Sequence, residues 1–297
     1  MLDEEWKTDS SCRFSLNTSP VYINGYYLNE ELGKGSYSNV FDTFDKNNER
    51  FVTKIIKNSE QYKKCGIKEV KFLKKLKDSL NICYLYDSFI ISDHIFIVLE
   101  KYDSNLYEHY KTGCDLDVEY IVHSCLTALT FLERERIVHA DLKPENILLK
   151  VDNDNEILDI CVSDFSSSSY EHKVKKCNNV VSLWYRAPEI YLTGMYTCKL
   201  DIWSLGCIIY ELITRKPLFR VKNDNSVLKS NYSLALKHYK VLGCPSHELI
   251  KFIGPPENLE SKILISPKFN NYIRKYLQWE PSDRLSADQI LEIKYLK

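Results

Sequence analysis

His139, Asp141, Lys143 and Asn146 share one short stretch, IVHADLKPENILL, at residues 137–149. An aspartate so placed can accept the proton of an attacking hydroxyl. Lys143 can steady a moving phosphoryl group, and Asn146 can hold a metal ion. Further along, VSDFSSSSY supplies Asp164, a carboxylate suited to Mg2+, which is a hard ion that prefers oxygen ligands. Together these side chains describe transfer of a phosphoryl group to a hydroxyl.

Such chemistry needs a cradle for phosphates. LGKGSYSNV at 32–40 reads Gly-x-Gly-x-x-Ser between two predicted strands, and glycines there let a hairpin bring its backbone N–H groups close to phosphate oxygens. Lys54 ends the next strand in FVTKII, and Glu69 lies on the helix after it. A lysine so placed can neutralise phosphate charge, and a glutamate can orient it by ion pairing. Each signal is weak alone: a Gly-rich turn is usually only a hairpin, and a single lysine or helix glutamate is usually only solvated.

The elements that must position these groups follow from periodicity. YYLNEEL, NVFDTF, RFVTKII and HIFIVLE alternate as strands do, and GIKEVKFLKKLK between the last two places Ile67, Val70, Leu73 and Leu76 on one helical stripe. From about Asp117 the period becomes helical, with Ile121, Val122, Cys125, Leu126, Leu129 and Leu132 on one face; a further helix is predicted over 201–213. A small antiparallel sheet with one helix followed by a larger, mostly helical part gives a bilobal α+β arrangement, joined near KYDSN at 101–105. Residues 1–25 are expected to form an irregular lead-in, with the folded domain running over 26–296.

Composition bounds the function classes. The 297 residues are 44% apolar, enough for a substantial core. Lys plus Arg number 40 against 41 Asp plus Glu, so no strong field argues for nucleic acid or an anionic membrane as partner. The acidic start MLDEEWKTDSSCRF is wrong for a secretory signal, and no apolar run reaches the roughly 18 residues of a membrane span. An intracellular protein is expected. Ten cysteines without a CxxC pair read as reduced thiols.

WYRAPEIY at 184–191 and DIWSLGC at 201–207 complete an ordered series of motifs. With them, residues 26–296 resemble the eukaryotic protein kinases. YRAPE with Arg186, and DIWSLGC, resemble the group containing the cyclin-dependent, MAP, LAMMER-type and dual-specificity tyrosine-regulated kinases. KIIKNSEQY, HIFIVLEKYDSNLYE, HADLKPENILL and DFSSSSYEH are most similar to the last of these and its homeodomain-interacting relatives.

The resemblance implies the bilobal kinase fold, with a small lobe over about 26–101 and a large lobe over about 102–296. It also implies ATP and Mg2+ as cofactors, protein substrates, and a monomer. Leu32, Val40, Val52 and Leu148 would sandwich adenine, with Leu99 as gatekeeper and the backbone of Glu100 and Tyr102 hydrogen-bonding the base. Gly33, Lys34, Gly35, Ser36, Tyr37, Ser38 and Asn39 would cover the phosphates, and Lys54, paired with Glu69, would contact them. Asp141 would be the base, Lys143 its partner, and Asn146 and Asp164 the metal ligands. Glu189 would pair with Arg284 and Asp201 would hold the catalytic loop. DLKPEN and Ser182 look like a serine/threonine kinase, and Arg186 suggests tolerance of proline after the target residue.

Six positions depart from the family pattern. Ala140 replaces an arginine that, in many kinases, binds an activation-loop phosphate. Cys177 and Asn179 hold the usual acceptor positions, and Leu183 stands where the branch has an arginine that grips its phosphotyrosine. Receptor and ligand are missing together, which implies a loop held without phosphate. Ser166 follows Asp164-Phe165 in place of glycine, which predicts a less mobile metal loop, and Ser38 replaces the third glycine at little cost. The competing reading is a catalytically inactive kinase-fold scaffold, which losing one of Lys54, Glu69, Asp141, Lys143, Asn146 or Asp164 would favour; all six are present.

Overall fold

The computed structural model describes residues 5–173, 181–222, 224, 226–243, 245 and 267–293. The chain divides into two compact units, Met1–Asp103 with Asp164–Ser166, and Ser104–Ser163 with Ser167–Lys297. The division falls between Asp103 and Ser104.

The first unit is built on a six-stranded antiparallel sheet. Its strands are β3 (Val21–Ile23), β4 (Tyr26–Lys34), β5 (Ser38–Asp45), β6 (Arg50–Ile56), β7 (Leu85–Ile91) and β8 (His94–Glu100), in the order β3-β4-β5-β6-β8-β7. The register sets Val40 opposite Lys54, Val52 opposite Leu99 and Lys54 opposite Ile97. Strand side chains alternate between faces, so Val40, Val52, Lys54, Ile97 and Leu99 share one face.

Helix α1 (Glu60–Lys75) packs on this sheet through only part of the stripe counted from Ile67: Leu73 and Leu76 are buried, Val70 is half-buried and Ile67 is exposed. Gly66, Glu69, Phe72 and Leu73 are its buried positions, while Ile67 is 58% exposed. The buried face is turned by about one residue because it carries a glutamate and a glycine, which hydrophobic counting passes over. A Cβ at Gly66 would lie 2.8 Å from Ile56 Cγ1, so the glycine lets the helix approach the sheet.

The lead-in is not irregular, which corrects the expectation for residues 1–25. β1 (Trp6–Thr8) and β2 (Phe14–Leu16) pair antiparallel, and β3 extends the main sheet. Trp6 and Phe14 are buried with Phe41, Ile55 and Phe96. Trp6 and Phe14, with Leu16 packed beside them, dock a hairpin whose remaining residues are mostly polar.

The second unit is mainly helical. Its long helices are α3 (Val118–Arg134), α5 (Lys199–Thr214) and α6 (Val227–Leu242), with shorter helices α2 (Leu106–Lys111), α4 (Pro188–Leu192), α7 (Pro267–Ile273) and α8 (Ala287–Leu291). All six apolar positions expected on α3 are buried. Ile202, Leu205, Ile208, Ile209 and Leu212 are buried on α5. Asp117 caps α3 by accepting from the N–H of Tyr120 at 2.9 Å, and Ser286 forms a capping box with Gln289 on α8. A small sheet of β9 (Ser104–Asn105), β11 (Ile147–Val151) and β12 (Ile157–Val162) also belongs to this unit.

Two buried polar clusters brace it. The Arg284 guanidinium meets both oxygens of Glu189, at 2.8 and 2.7 Å. Glu211 accepts from the hydroxyls of Tyr110, at 2.6 Å, and Tyr185, at 2.7 Å. The eight described cysteines are free thiols, and among the described residues no helix is long and apolar enough to cross a membrane.

Candidate active site

Lys54 is not a solvated lysine. Its ammonium lies 2.8 Å from Glu69 Oε1, 2.9 Å from Oε2 and 3.0 Å from Asp164 Oδ1, with only 8% of the residue exposed. Register explains the placement: Lys54 shares its face of β6 with Ile56, against which α1 packs at Gly66, and Glu69 reaches it from the buried side of α1. Burial works against the ammonium, but the charges of Asp164 and Glu69 outweigh it and hold Lys54 well above the ordinary lysine range. Burial pushes the Glu69 carboxyl up to about 7, with Lys54 opposing. For Asp164 burial also pushes upward, yet Lys54 and the hydroxyls of Tyr37 and Ser166 prevail and hold it far below the usual carboxylate range.

Tyr37, at the tip of the glycine-rich hairpin, completes this cluster. Its hydroxyl donates to the Asp164 carboxylate at 2.5 Å and lies 2.7 Å from Ser166 Oγ. Ser166, the residue in place of glycine, thus contributes a hydroxyl that glycine could not. Asp164 itself has φ of +63°, a left-handed conformation that aspartate tolerates better than most residues. The sequence singles out Tyr37 only as a loop residue; the phenol's reach to Asp164 has no sequence signal beyond its place between glycines and β5.

The second unit holds the other half of the expected residues. Asp141 Oδ1 accepts from the Ser182 hydroxyl at 2.9 Å and its N–H at 3.1 Å, and Oδ2 lies 2.8 Å from Lys143 Nζ. Asn146 Nδ2 donates to the Asp141 carbonyl at 2.8 Å. The loop beneath is fixed from below. Asp201 accepts from the N–H groups of His139 and Ala140, while His139 Nε2 bonds the Ser163 carbonyl at 2.8 Å and Ser168 Oγ bonds the His139 carbonyl at 3.1 Å. Burial raises the Asp201 carboxyl, opposed by His139 and these backbone bonds.

Just before Ser182 the chain takes a turn the sequence does not announce. Val181 has φ of +70°, rare for a β-branched residue, and its carbonyl accepts from Arg186 Nη2 at 2.9 Å and Nε at 3.2 Å. Arg186 Nη1 donates to Asn231 Oδ1 of α6 at 2.7 Å. Cys177 and Asn179 lie outside the described residues.

The remaining expected positions distribute as follows. Val40, Val52 and Leu99 line the Lys54 face of the sheet, Leu32 is 49% exposed on β4, and Leu148 is half-buried on β11 between Asn105 and Cys161. Gly33 to Ser36 are exposed, and a Cβ at Gly33 would meet nothing within 4 Å, leaving open space beside the backbone. Each residue taken by itself suits Mg2+: Asp164, in the first unit, offers carboxylate oxygens, and Asn146, in the second, commits its Nδ2 to the Asp141 carbonyl, which leaves its amide oxygen to ligate.

A buried lysine–glutamate pair under a glycine-rich hairpin, in a chain that also carries an aspartate gripped by lysine and serine, defines a protein kinase. The chain belongs to the protein kinase domain family, which it matches over residues 26–296. It is similar to the Dual specificity tyrosine-phosphorylation-regulated kinase 4 of Homo sapiens, with 34% identity over 90% of this chain and 56% of that protein. It is also similar to the kinase mbk-2 of the same description from Caenorhabditis briggsae, with 28% identity over 92% of this chain and 39% of that protein. A third relative, described as a serine/threonine-protein kinase of Dictyostelium discoideum, is 32% identical over 88% of this chain and 32% of its own length. The chain therefore spans about half, or less, of the length of these relatives. The similarity lies with the dual-specificity tyrosine-regulated branch.

Proposed function

We propose that this chain is a serine/threonine protein kinase that transfers the γ-phosphate of ATP to hydroxyls of protein substrates. The observation that carries it is Asp141, whose oxygens are divided between Ser182 and Lys143. In this reading the substrate hydroxyl gives its proton to Asp141 as its oxygen bonds phosphorus, and the bond from phosphorus to the departing ADP oxygen breaks. Lys143, already 2.8 Å from Asp141, lies ready to balance charge on the phosphoryl oxygens. Lys54, held by Glu69, would contact the α- and β-phosphates. Val40, Val52, Leu99, Leu32 and Leu148 would pack against adenine; since the Glu100 N–H already donates to the Tyr84 carbonyl at 3.0 Å, Glu100 would meet the base through its own carbonyl. Asp164 and Asn146 would hold Mg2+, which when bound neutralises charge on the phosphate oxygens.

Serine or threonine followed by proline is the substrate pattern we favour. The Val181 carbonyl is consumed by Arg186, so a substrate N–H arriving there would find its acceptor taken, at a cost of about 1–3 kcal/mol. Proline has no N–H to leave unpaired. The near balance of charge suits protein partners better than nucleic acid or a membrane surface, and a monomer is the state the resemblance implies. Asn231 holding Arg186 gives the segment after the activation loop a neutral anchor, which supports activity without loop phosphate.

Transfer of labelled γ-phosphate to Ser/Thr-Pro and basic peptides, with Asp141→Asn and Lys54→Met beside the wild type, tests the reading. Signal from the wild type alone is expected. Equal signal from all three would leave a non-catalytic scaffold. Phosphatase treatment of the wild type should leave its rate within about twofold, because no loop phosphate is required for the Asp141 geometry.

A further inference from the structure

Residues 5–17 precede the span matched to the kinase family, yet the Arg13 side chain ties them to the glycine-rich hairpin. The β1–β2 hairpin is anchored by stacked Trp6 and Phe14 rings, 4.9 Å apart, with Phe14 meeting Phe96 edge-on at 5.4 Å. Its turn is organised by Asp9, whose carboxylate accepts from the N–H groups of Ser11 at 2.8 Å and Arg13 at 3.0 Å. The Cys12 carbonyl accepts from the N–H of Asn58 at 2.8 Å, which fixes the turn against the end of β6.

From this platform Arg13 reaches both arms of the glycine-rich hairpin. Nη2 donates to the Gly35 carbonyl at 2.7 Å on one arm; Nη1 donates to the Ser38 carbonyl at 3.2 Å and Asn39 Oδ1 at 2.6 Å on the other. Asn39 in turn donates through Nδ2 to the Phe14 carbonyl at 3.1 Å, closing the circuit. Gly33 and Gly35 carry no side chains with which to hold the loop. A guanidinium is a planar fork of fixed geometry, so bonding to two arms at once sets their separation. The loop's own link, from Gly35 N–H to the Ser38 carbonyl at 2.9 Å, shares an acceptor with it.

We infer that Arg13 is a positioning residue for nucleotide: from a hairpin ahead of the family domain, it fixes the spacing of the glycine-rich arms and so how closely their N–H groups hold phosphates. The inference rests on the kinase reading above. Lysine could not replace it, because an ammonium is a compact charge without the fork.

The test is a titration of the full chain with a fluorescent ADP derivative and Mg2+, using wild type, Arg13→Ala, Arg13→Lys and Phe14→Leu, with melting temperatures measured without nucleotide. Arg13→Ala should weaken nucleotide binding about 5- to 10-fold, the loss of one charged hydrogen bond's worth of loop ordering, while its melting temperature stays close to wild type. Arg13→Lys should not restore affinity. Phe14→Leu, which loosens the platform, should lower both affinity and melting temperature. Undiminished affinity in Arg13→Ala, recovery in Arg13→Lys, or an affinity loss matched by an equally large melting loss in Arg13→Ala would each overturn the inference. Failure of the wild type to bind nucleotide would instead remove the kinase reading beneath it.

Discussion

Asp201 holds Ala140 in a left-handed backbone conformation: its carboxylate accepts the Ala140 N–H at 3.0 Å, and Ala140 has φ of +66°. The same carboxylate takes the His139 N–H at 2.7 Å. A left-handed alanine costs of order 1 kcal/mol, so the conformation persists only where the surroundings impose it. Here it turns the chain so that Asp141, the next residue, meets Ser182 and Lys143.

Asp201→Asn should therefore act on rate. The asparagine keeps one acceptor but faces the second N–H with a donor, a cost of about 1–3 kcal/mol. We expect kcat to fall roughly 10- to 100-fold, with the KM for ATP altered much less. Steady-state kinetics separate the two, and an unchanged kcat would show that Ala140 is held by other means.

Tyr37→Phe removes the hydroxyl that bonds the Asp164 carboxylate and Ser166. A hydrogen bond to a charged group contributes about 1.5–3 kcal/mol, part of which Mg2+ must displace. The Mg2+ concentration giving half-maximal nucleotide binding should drop several-fold in Tyr37→Phe. A rise would mean that the phenol supports the metal site instead of competing with it.

Arg284 and Glu189 form a buried pair with side-chain exposures of 0% and 6%. Removing one partner strands the other, at about 3–5 kcal/mol. Arg284→Met should lower the urea midpoint of the second unit accordingly, and the double variant with Glu189→Leu should regain part of the loss. Equal destabilisation in single and double variants would contradict this account.

His238 supplies a pH dependence. It is fully buried among Trp203, Phe219 and Trp279, and burial together with the Arg284 charge holds its imidazole well below the ordinary range. The unfolded chain takes up a proton at this site below about pH 6.5 while the folded chain does not. Stability is thus full above that pH and declines as pH falls through it, by up to about 1.4 kcal/mol per unit. Urea midpoints measured from about pH 5 to 7.5 should show this slope in the wild type and a shallower one in His238→Phe.

Much of this was legible because the chemistry is concentrated in short motifs. HADLKPENILL places Asp141, Lys143 and Asn146 within six residues, and hydrogen bonds join them; DIWSLGC, some 60 residues on, supplies Asp201, which takes the His139 and Ala140 N–H groups. The apolar and β-branched residues of β4, β5, β6 and β8 marked them as strands, although His94 to Leu99 of β8 are buried on both faces. Hydrophobic counting found only part of the inward face of α1: it caught Leu73 and Leu76 but passed over Glu69 and Gly66 and included the exposed Ile67. It also missed β1 and β2, which are three residues each and rest on a single buried aromatic apiece. Val181 and Arg13 were invisible for another reason: a backbone angle and a contact across 25 residues leave no local pattern.

The hairpin of residues 6–16 also separates two boundaries that are easily confused. The match to the kinase family spans residues 26–296, whereas Trp6 and Phe14 already belong to the same buried aromatic cluster as Phe41 and Phe96. A chain trimmed to the homologous span would strip these rings from the sheet and expose an apolar patch, the kind of surface that drives aggregation. For this protein, the place where ancestry becomes recognisable lies downstream of the place where folding has begun.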